Sequence, residues 1–282
     1  MCIRDRSRTV REKRTAFRAL HAEGCFVLPN PWDIGSARML HGLGFQAIAS
    51  TSSGFAWSTG QADGTSSRDA VLAHLRALCE ATDLPVNADF EGGYAATTDG
   101  VAESVRMAIA TGVAGLSIED STGDAERPLR DIADAVERMR AARAAIDGSG
   151  GDTVLVGRAE NFIVGRPDIA DTIARLKAYA DAGADCLYAP GIHTREQIDA
   201  VVAAVRPKPV NLLLGAATDW TLADVAAMGV RRISVGGGLA RAAWAGFLRA
   251  ARGRAQGRFD GLAGATPGPE LNAFFRGGEL KR

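Results

Sequence analysis

Short, nearly continuous apolar runs alternate along the chain with longer stretches in which apolar residues recur every three or four positions. The runs fall at 25–29, 47–51, 85–89, 115–119, 153–157, 185–188, 210–214 and 232–235. Their length and β-rich content predict strands, and their lack of in-and-out alternation predicts a parallel sheet covered on both faces. Helices are predicted over 34–43, 67–81, 98–111, 129–146, 167–182, 195–205, 222–228 and 239–251, after a basic helix over 7–23 with Phe17 and Leu20 on one apolar side. Gly44, Gly112, Gly183 and Gly229 stand where helical patterns stop, as C-terminal glycines do. Thr98, Thr194 and Thr221 are placed to cap helix starts, and Pro167 suits a first helical turn.

Eight strand–helix units in 282 residues predict a single (β/α)8 TIM barrel, a fold of about 250 residues. The rival, a doubly wound open sheet, lacks its Gly-x-Gly-x-x-Gly after the first strand. The barrel is assigned to 7–252. Residues 1–6 fit no structural pattern and read as a non-native or disordered leader without a secretory core. Residues 253–282 form a glycine- and proline-richer tail. With its cluster of Leu271, Phe274 and Phe275, the tail is expected to pack on the barrel bottom or be partly disordered, or else to dock on a neighbouring subunit.

Charge narrows the function classes. Lysine plus arginine equals aspartate plus glutamate at 33 each, and no basic block carries interleaved aromatics, which argues against nucleic acid. No apolar run approaches the roughly 18 residues of a membrane span. The four cysteines form no Cys-x-x-Cys pair and the four histidines are scattered, so zinc is not expected. A reduced, cytoplasmic enzyme is the class that remains.

In such a barrel the active site lies at the C-terminal strand ends. Thr51, Ser52, Ser53 and Gly54 follow the second run, with Asp63 a loop later. Asp89 and Glu91 follow the third, Glu119 and Asp120 the fourth, Arg158 and Glu160 the fifth. In extended backbone Asp89 and Glu91 leave on one face. Carboxylates crowded on one rim repel unless a cation sits among them, and oxygen-only donors suit Mg2+. The turn at 51–54 offers donors for a carboxylate or oxyanion, and Arg158 can fork onto a second carboxylate or an enolate. Gly236, Gly237 and Gly238 after the eighth run are placed to hold a phosphate or only to turn the chain. Tyr94 and His193 lie near the rim.

At these residues the chain resembles the isocitrate lyase/phosphoenolpyruvate mutase superfamily. The likeness runs from about 17 to 251. It rests on Asn30-Pro31-Trp32-Asp33-Ile34-Gly35-Ser36-Ala37, Val86-Asn87-Ala88-Asp89-Phe90-Glu91-Gly92-Gly93-Tyr94, Ile118-Glu119-Asp120 and Gly157-Arg158-Ala159-Glu160, in the family's order and spacing. The resemblance implies a barrel whose eighth helix is exchanged between subunits of a homodimer or homotetramer. It implies Mg2+ or Mn2+ on Asp89, with Asp63, Glu91 and Glu119 acting partly through water. Thr51, Ser52 and Ser53 match the turn that binds the substrate carboxylate, Arg158 matches the arginine beside the reacting centre, and Asn211 joins them as a substrate contact. Arg158, Glu119, Asp63 and Tyr94 are the expected catalytic set. Family members make or break a C–C or P–C bond beside a 2-oxo acid through a metal-stabilised enolate.

Three departures bear on the reaction. The family lyases carry a Lys-(Lys/Arg)-Cys-Gly-His loop where this chain has Ser121-Thr122-Gly123-Asp124-Ala125-Glu126-Arg127-Pro128. Pro190 replaces a glutamate of the lyases, and Glu91 stands where many members have Asp. The expectation is a metal-dependent lyase of a small 2-oxo acid, by oxaloacetate-like decarboxylation or retro-aldol cleavage. Its rivals are phosphonopyruvate hydrolase or mutase chemistry, a non-catalytic 2-oxo acid binder, and a sugar-phosphate enzyme using Gly236, Gly237 and Gly238.

Overall fold

In the computed structural model, which describes residues 7–280, the predicted alternation closes into a ring. The strands are β1 (Phe26–Leu28), β2 (Ile48–Ala49), β3 (Val86–Asp89), β4 (Gly115–Glu119), β5 (Val154–Arg158), β6 (Cys186–Tyr188), β7 (Val210–Leu213) and β8 (Arg232–Ser234). All pairs are parallel, in the order β1-β8-β7-β6-β5-β4-β3-β2. β1 and β2 share no ladder. Their seam is held by the Ala49 N–H donating to the Pro29 carbonyl (3.0 Å) and the Asn30 amide to the Ser50 carbonyl (2.8 Å). The expected (β/α)8 barrel is therefore present, nearly closed. The proposed leader at 1–6 lies outside the described residues.

The helices are α1 (Val10–Leu20), α2 (Ile34–Gly42), α3 (Ser52–Ser58), α4 (Arg68–Ala81), α5 (Thr98–Ala110), α6 (Ile132–Gly148), α7 (Ile169–Asp181), α8 (Arg195–Val205), α9 (Leu222–Ala227), α10 (Gly238–Ala255) and α11 (Gly268–Phe275). Gly44, Gly112, Gly183 and Gly229 take φ of 86°, 97°, 104° and 83°, the left-handed turn that ends a helix at little cost only for glycine. Two expected starts shift. Thr97, not Thr98, caps α5, and Asp168 caps α7 one residue after Pro167, its carboxylate accepting from the Ala170 and Asp171 N–H groups.

The basic character of α1 has a structural cause. Lys13 donates to the carbonyls of Cys79 (2.8 Å) and Thr82 (2.6 Å) at the end of α4, and Arg14 donates to Ile109 (2.9 Å) at the end of α5. These cations satisfy carbonyls that a helix C-terminus leaves open and meet its negative dipole end. They also seat fully buried Phe17 under the barrel, where it joins Phe26, Leu28, Ala49, Val156 and Tyr188 in the interior core. A larger apolar layer lies between sheet and helices.

The C-terminal segment folds back on its own chain. A Cβ on Gly42 of α2 would lie 2.5 Å from the Phe274 ring, and Arg38 donates to the Phe275 carbonyl (3.1 Å). α10 instead leaves Leu239, Trp244, Phe247 and Leu248 exposed. Among the described residues no helix is long and apolar enough to cross a membrane.

Candidate active site

Strand alternation turns Asn87 and Asp89 of β3, Ser117 and Glu119 of β4, and Val156 and Arg158 of β5 toward the barrel axis. Asp89 and Arg158 end their strands, so both reach the C-terminal rim. Glu91 arrives by another route than expected. β3 stops at Asp89, and Glu91 (φ 44°), Gly93 (φ 84°) and Tyr94 (φ 52°) form a left-handed turn, so the same-face argument from extended backbone does not apply. Two non-glycine residues in that region store roughly 1–3 kcal/mol each, a cost tolerated where surrounding contacts dictate the shape. Here the Glu119 N–H donates to the Glu91 carbonyl (3.0 Å), and the Tyr94 hydroxyl to the Glu91 carboxylate (2.9 Å).

Arg158 is the hub. Its Nη1 meets Asp89 Oδ1 at 3.0 Å and Glu119 Oε2 at 3.1 Å, while Nε and Nη2 fork onto the two Glu160 oxygens. Its guanidinium carbon lies 5.3 Å from the Tyr188 ring centre. Burial pushes Glu119 well above the ordinary carboxylate range; Arg158 pulls it back, and Glu160 and Asp89 push it further. Burial likewise raises Glu160 against the pull of Arg158. For Arg158, burial works to lower the pKa, and Glu119, Glu160 and Asp89 more than reverse it. One cation thus serves three carboxylates.

A buried set behind β5 fixes this hub. The Glu160 N–H donates to Asp120 Oδ1 (2.8 Å), whose other oxygen accepts from Arg175 (3.1 Å) and the Tyr179 hydroxyl (2.5 Å). Asp120 was legible only as a companion of Glu119; its partners lie 55 and 59 residues on.

Two cavities meet at this rim. A 410 Å3 cleft is lined by Asp63, Glu91, Tyr94, Glu119 and Arg158, with Ser121, Thr122 and Gly123 on its outer wall. A deeper 230 Å3 cavity shares Ser52, Asp63 and Arg158 with it and adds Thr51, Ser53, Asp89, Asn211 and Arg232. The candidates at 51–53, 63, 89, 91, 94, 119 and 158 are therefore brought together. His193 lines neither cavity; its ring Nδ1 lies 3.0 Å from the Gly191 carbonyl.

Several roles change on inspection. The turn at 51–54 is the first turn of α3, a helix not foreseen; Thr51 caps it and the Ser52 N–H already donates to Asp89 Oδ2 (2.9 Å). The Ser52 hydroxyl, not that N–H, remains for a ligand, and the Ser53 hydroxyl lies 3.1 Å from that of Thr51. Asn211 is fully buried on the wall of the deeper cavity: Nδ2 donates to Ser234 (2.9 Å) and Oδ1 accepts from Arg232 (2.8 Å), which leaves one Nδ2 hydrogen for a ligand. Burial, then Glu91 and Asp89, hold the Tyr94 hydroxyl far above its usual range, so it donates a hydrogen bond rather than a proton near neutral pH. The Gly236 N–H donates to Asn30 Oδ1 (2.9 Å), and Gly237 sits against Ser53 and Trp57, which leaves little of a phosphate cradle.

Among the described residues no three His, Cys, Asp or Glu side chains stand close enough to hold a metal ion directly. The loop over 121–128 closes on itself through a Ser121–Leu129 bridge, with Thr122 bonded to the Pro128 carbonyl (3.0 Å) and the Arg127 carbonyl (2.5 Å). No cysteine, lysine or histidine lies in it.

The family model for phosphoenolpyruvate phosphomutase matches residues 17–255. An oxaloacetate decarboxylase from Bradyrhizobium sp. (strain BTAi1) is 31% identical over 247 residues, covering 80% of this chain and 78% of that one. A crystal structure of a candidate lyase/mutase from Burkholderia cenocepacia J2315 is 46% identical with a TM-score of 0.93, covering 97% of this chain and 99% of that one. A phosphonopyruvate hydrolase solved with oxalate and Mg2+ is 27% identical with a TM-score of 0.82, covering 94% and 95%.

Proposed function

Since the chain belongs to the phosphoenolpyruvate phosphomutase family, within the isocitrate lyase/phosphoenolpyruvate mutase superfamily, we propose that it is a Mg2+-dependent carbon–carbon lyase of a small 2-oxo carboxylic acid. The reaction is decarboxylation of an oxaloacetate-like acid or retro-aldol release of pyruvate or oxaloacetate. The observation that carries this reading is Arg158, held by three carboxylates and lining one cavity with the Thr51, Ser52 and Ser53 end of α3. Similarity to an oxaloacetate decarboxylase supports the choice of bond.

The donor set fits the ion. Asp63, Glu91 and Glu119 line the outer cleft and Asp89 the deeper cavity that meets it; all four offer only oxygen, spaced rather than packed in threes. Mg2+ keeps several waters and takes one or two carboxylates directly, whereas a structural zinc needs four close ligands. Asp89 would hold the ion directly, and Asp63, Glu91 and Glu119 through water. When bound, it supplies positive charge that offsets a developing enolate. Arg158 would donate to the enolate oxygen, and the serine hydroxyls would orient the substrate carboxylate. With no cysteine, lysine or histidine on the 121–128 loop, water in the cleft returns the proton. The exposed apolar face of α10 supports assembly of copies through that helix.

The test is purified protein with Mg2+ and a panel of 2-oxo acids, read by pyruvate and CO2 release. Turnover of at least one acid, falling at least about 100-fold in Arg158→Ala, is expected. Saturable binding across the panel without product would replace the lyase with a binder. Phosphate release from phosphonopyruvate would move the reaction to P–C cleavage.

A further inference from the structure

Arg232 enters the barrel interior from the first position of β8 and is 2% exposed. Its Nε donates to Asn211 Oδ1 (2.8 Å) and its Nη1 to Asn87 Oδ1 (3.3 Å), and Nη1 lies 3.4 Å from His21 Nε2. His21 Nδ1 lies 2.8 Å from the Phe17 carbonyl and so carries the proton it donates, while burial and the facing Arg232 guanidinium keep the ring neutral, with Nε2 as acceptor. Every partner of this guanidinium is uncharged. Among the described residues it forms no ion pair, and Nη2 has no hydrogen-bond partner.

The other buried arginines behave differently. Arg14 pairs with Asp152, Arg138 with Asp134, and Arg175 with Asp120 and Asp171. A buried cation without a counter-charge is costly, and proteins normally pair or solvate it. Arg232 is neither paired nor at the surface, but it lines the 230 Å3 cavity whose upper wall is Asp89 and Arg158. One strand register joins the two arginines: Arg158 opposite Tyr188, Tyr188 opposite Asn211, Asn211 opposite Arg232. The cavity is polarised. Around Arg158 the carboxylates outnumber the cation, whereas below it Arg232 stands among Asn87, Asn211, Ser117 and Ser234 with no carboxylate in contact.

We propose that Arg232, with the amide and hydroxyl groups around it, forms an anion subsite at the floor of the barrel cavity that takes a carboxylate-sized anion. Two sources share that chemistry. One is the far carboxylate of a 2-oxo diacid whose keto-acid end meets the rim; this source rests on the proposed function. The other is a free monovalent anion that stays with the protein. Nη2 donates to the anion in either case, and the neighbouring side chains fix it without bringing charge of their own.

Crystals of the full chain soaked in bromide and read by anomalous scattering test the subsite without any turnover. A bromide peak within hydrogen-bond distance of Arg232 Nη2 is expected, and it should vanish in Asn87→Asp, where a carboxylate replaces the amide facing Nη1. A second soak in succinate separates the sources. Succinate carboxylate in place of bromide selects the diacid, and bromide retained there selects the free anion. In solution the diacid source predicts succinate binding at least about tenfold weaker in both Asn87→Asp and Arg232→Lys, with melting curves checking that each variant is folded. Water alone at Nη2 in the bromide and succinate soaks would overturn the proposal, whether or not the protein turns over 2-oxo acids.

Discussion

Replacing Arg158 with methionine keeps much of the side-chain volume and removes the charge that holds Asp89, Glu119 and Glu160 together. The Glu160 side chain is 3% exposed and that of Glu119 14%, so neither can turn to water without rearrangement. Breaking a buried pair from one side costs about 3–5 kcal/mol. At roughly 2–4 °C per kcal/mol for a domain near this size, Tm at pH 8 should fall on the order of 10 °C. The loss should depend on pH with a definite sign. Both glutamates sit above the ordinary carboxylate range in the fold, so the native state binds more protons than the unfolded chain. Such groups favour the native state at low pH, and that advantage is lost as pH rises through the folded pKa. Arg158 lowers both values, so its removal moves the window upward. One proton contributes about 1.4 kcal/mol per pH unit across that window, so between pH 8 and 6 the variant should regain up to roughly 3 kcal/mol relative to wild type. Thermal melts of both proteins at half-unit steps, in chelator so that no divalent ion replaces the guanidinium, provide the measurement. A deficit that is the same at every pH, or under about 1 kcal/mol throughout, would refute the electrostatic reasoning.

Other outcomes follow from single contacts. In Tyr94→Phe, Glu91 loses the hydrogen bond that opposes its burial-raised pKa, so Mn2+ binding by electron paramagnetic resonance should weaken about three- to tenfold at pH 6 and less at pH 8; equal losses at both would contradict this. Tyr179→Phe leaves a buried Asp120 oxygen short of a donor and should cost about 1–3 kcal/mol in denaturant melts. Burial, helped by Arg232, lowers His21 to about 3, so below the unfolded value near 6.5 the unfolded chain takes up the proton first and stability falls with pH. His21→Leu should flatten that acid limb by up to about 1.4 kcal/mol per pH unit, and an unchanged slope would argue against a neutral His21. Gly42→Ala drives a Cβ into Phe274 and should speed limited proteolysis within 256–280; an unchanged digest would mean that α11 is held elsewhere.

The barrel and its rim were legible because both rest on short-range pattern. An apolar run followed by a polar residue locates the strand end, and strand ends of a parallel barrel face one way, so Asp89, Glu119 and Arg158 could be grouped without coordinates. Glu91 was placed in the right cleft for the wrong reason, since a glutamate at positive φ has no sequence signature. α3 escaped notice because Gly54 and its serines look like a turn, and only Thr51 as cap reveals the helix. The partner that fixes Asn211, Arg232, comes from the next strand and reads in sequence as half of a basic pair beside an apolar run. That an arginine occupies an inward position, two before Ser234, was available from alternation alone. The Asp120, Arg175 and Tyr179 set was beyond reach, because its members are joined only when α7, packed against β5 and β6, brings two side chains to the residue after β4.

The loop over 121–128 has a consequence for how such a protein can be altered. Its hydrogen bonds are mostly its own, and it is anchored to the barrel chiefly where Arg130 donates to the Asp120 carbonyl (2.9 Å). The charged rim, by contrast, hangs on strands and on the buried Asp120 set. The loop is therefore a self-contained module, and the part that holds charge is the chassis. A longer segment bearing its own acid, spliced between Ser121 and Leu129, would meet an existing pair of facing ends and leave the core untouched. One hairpin can thus be exchanged on this scaffold without disturbing the strands that carry the charge.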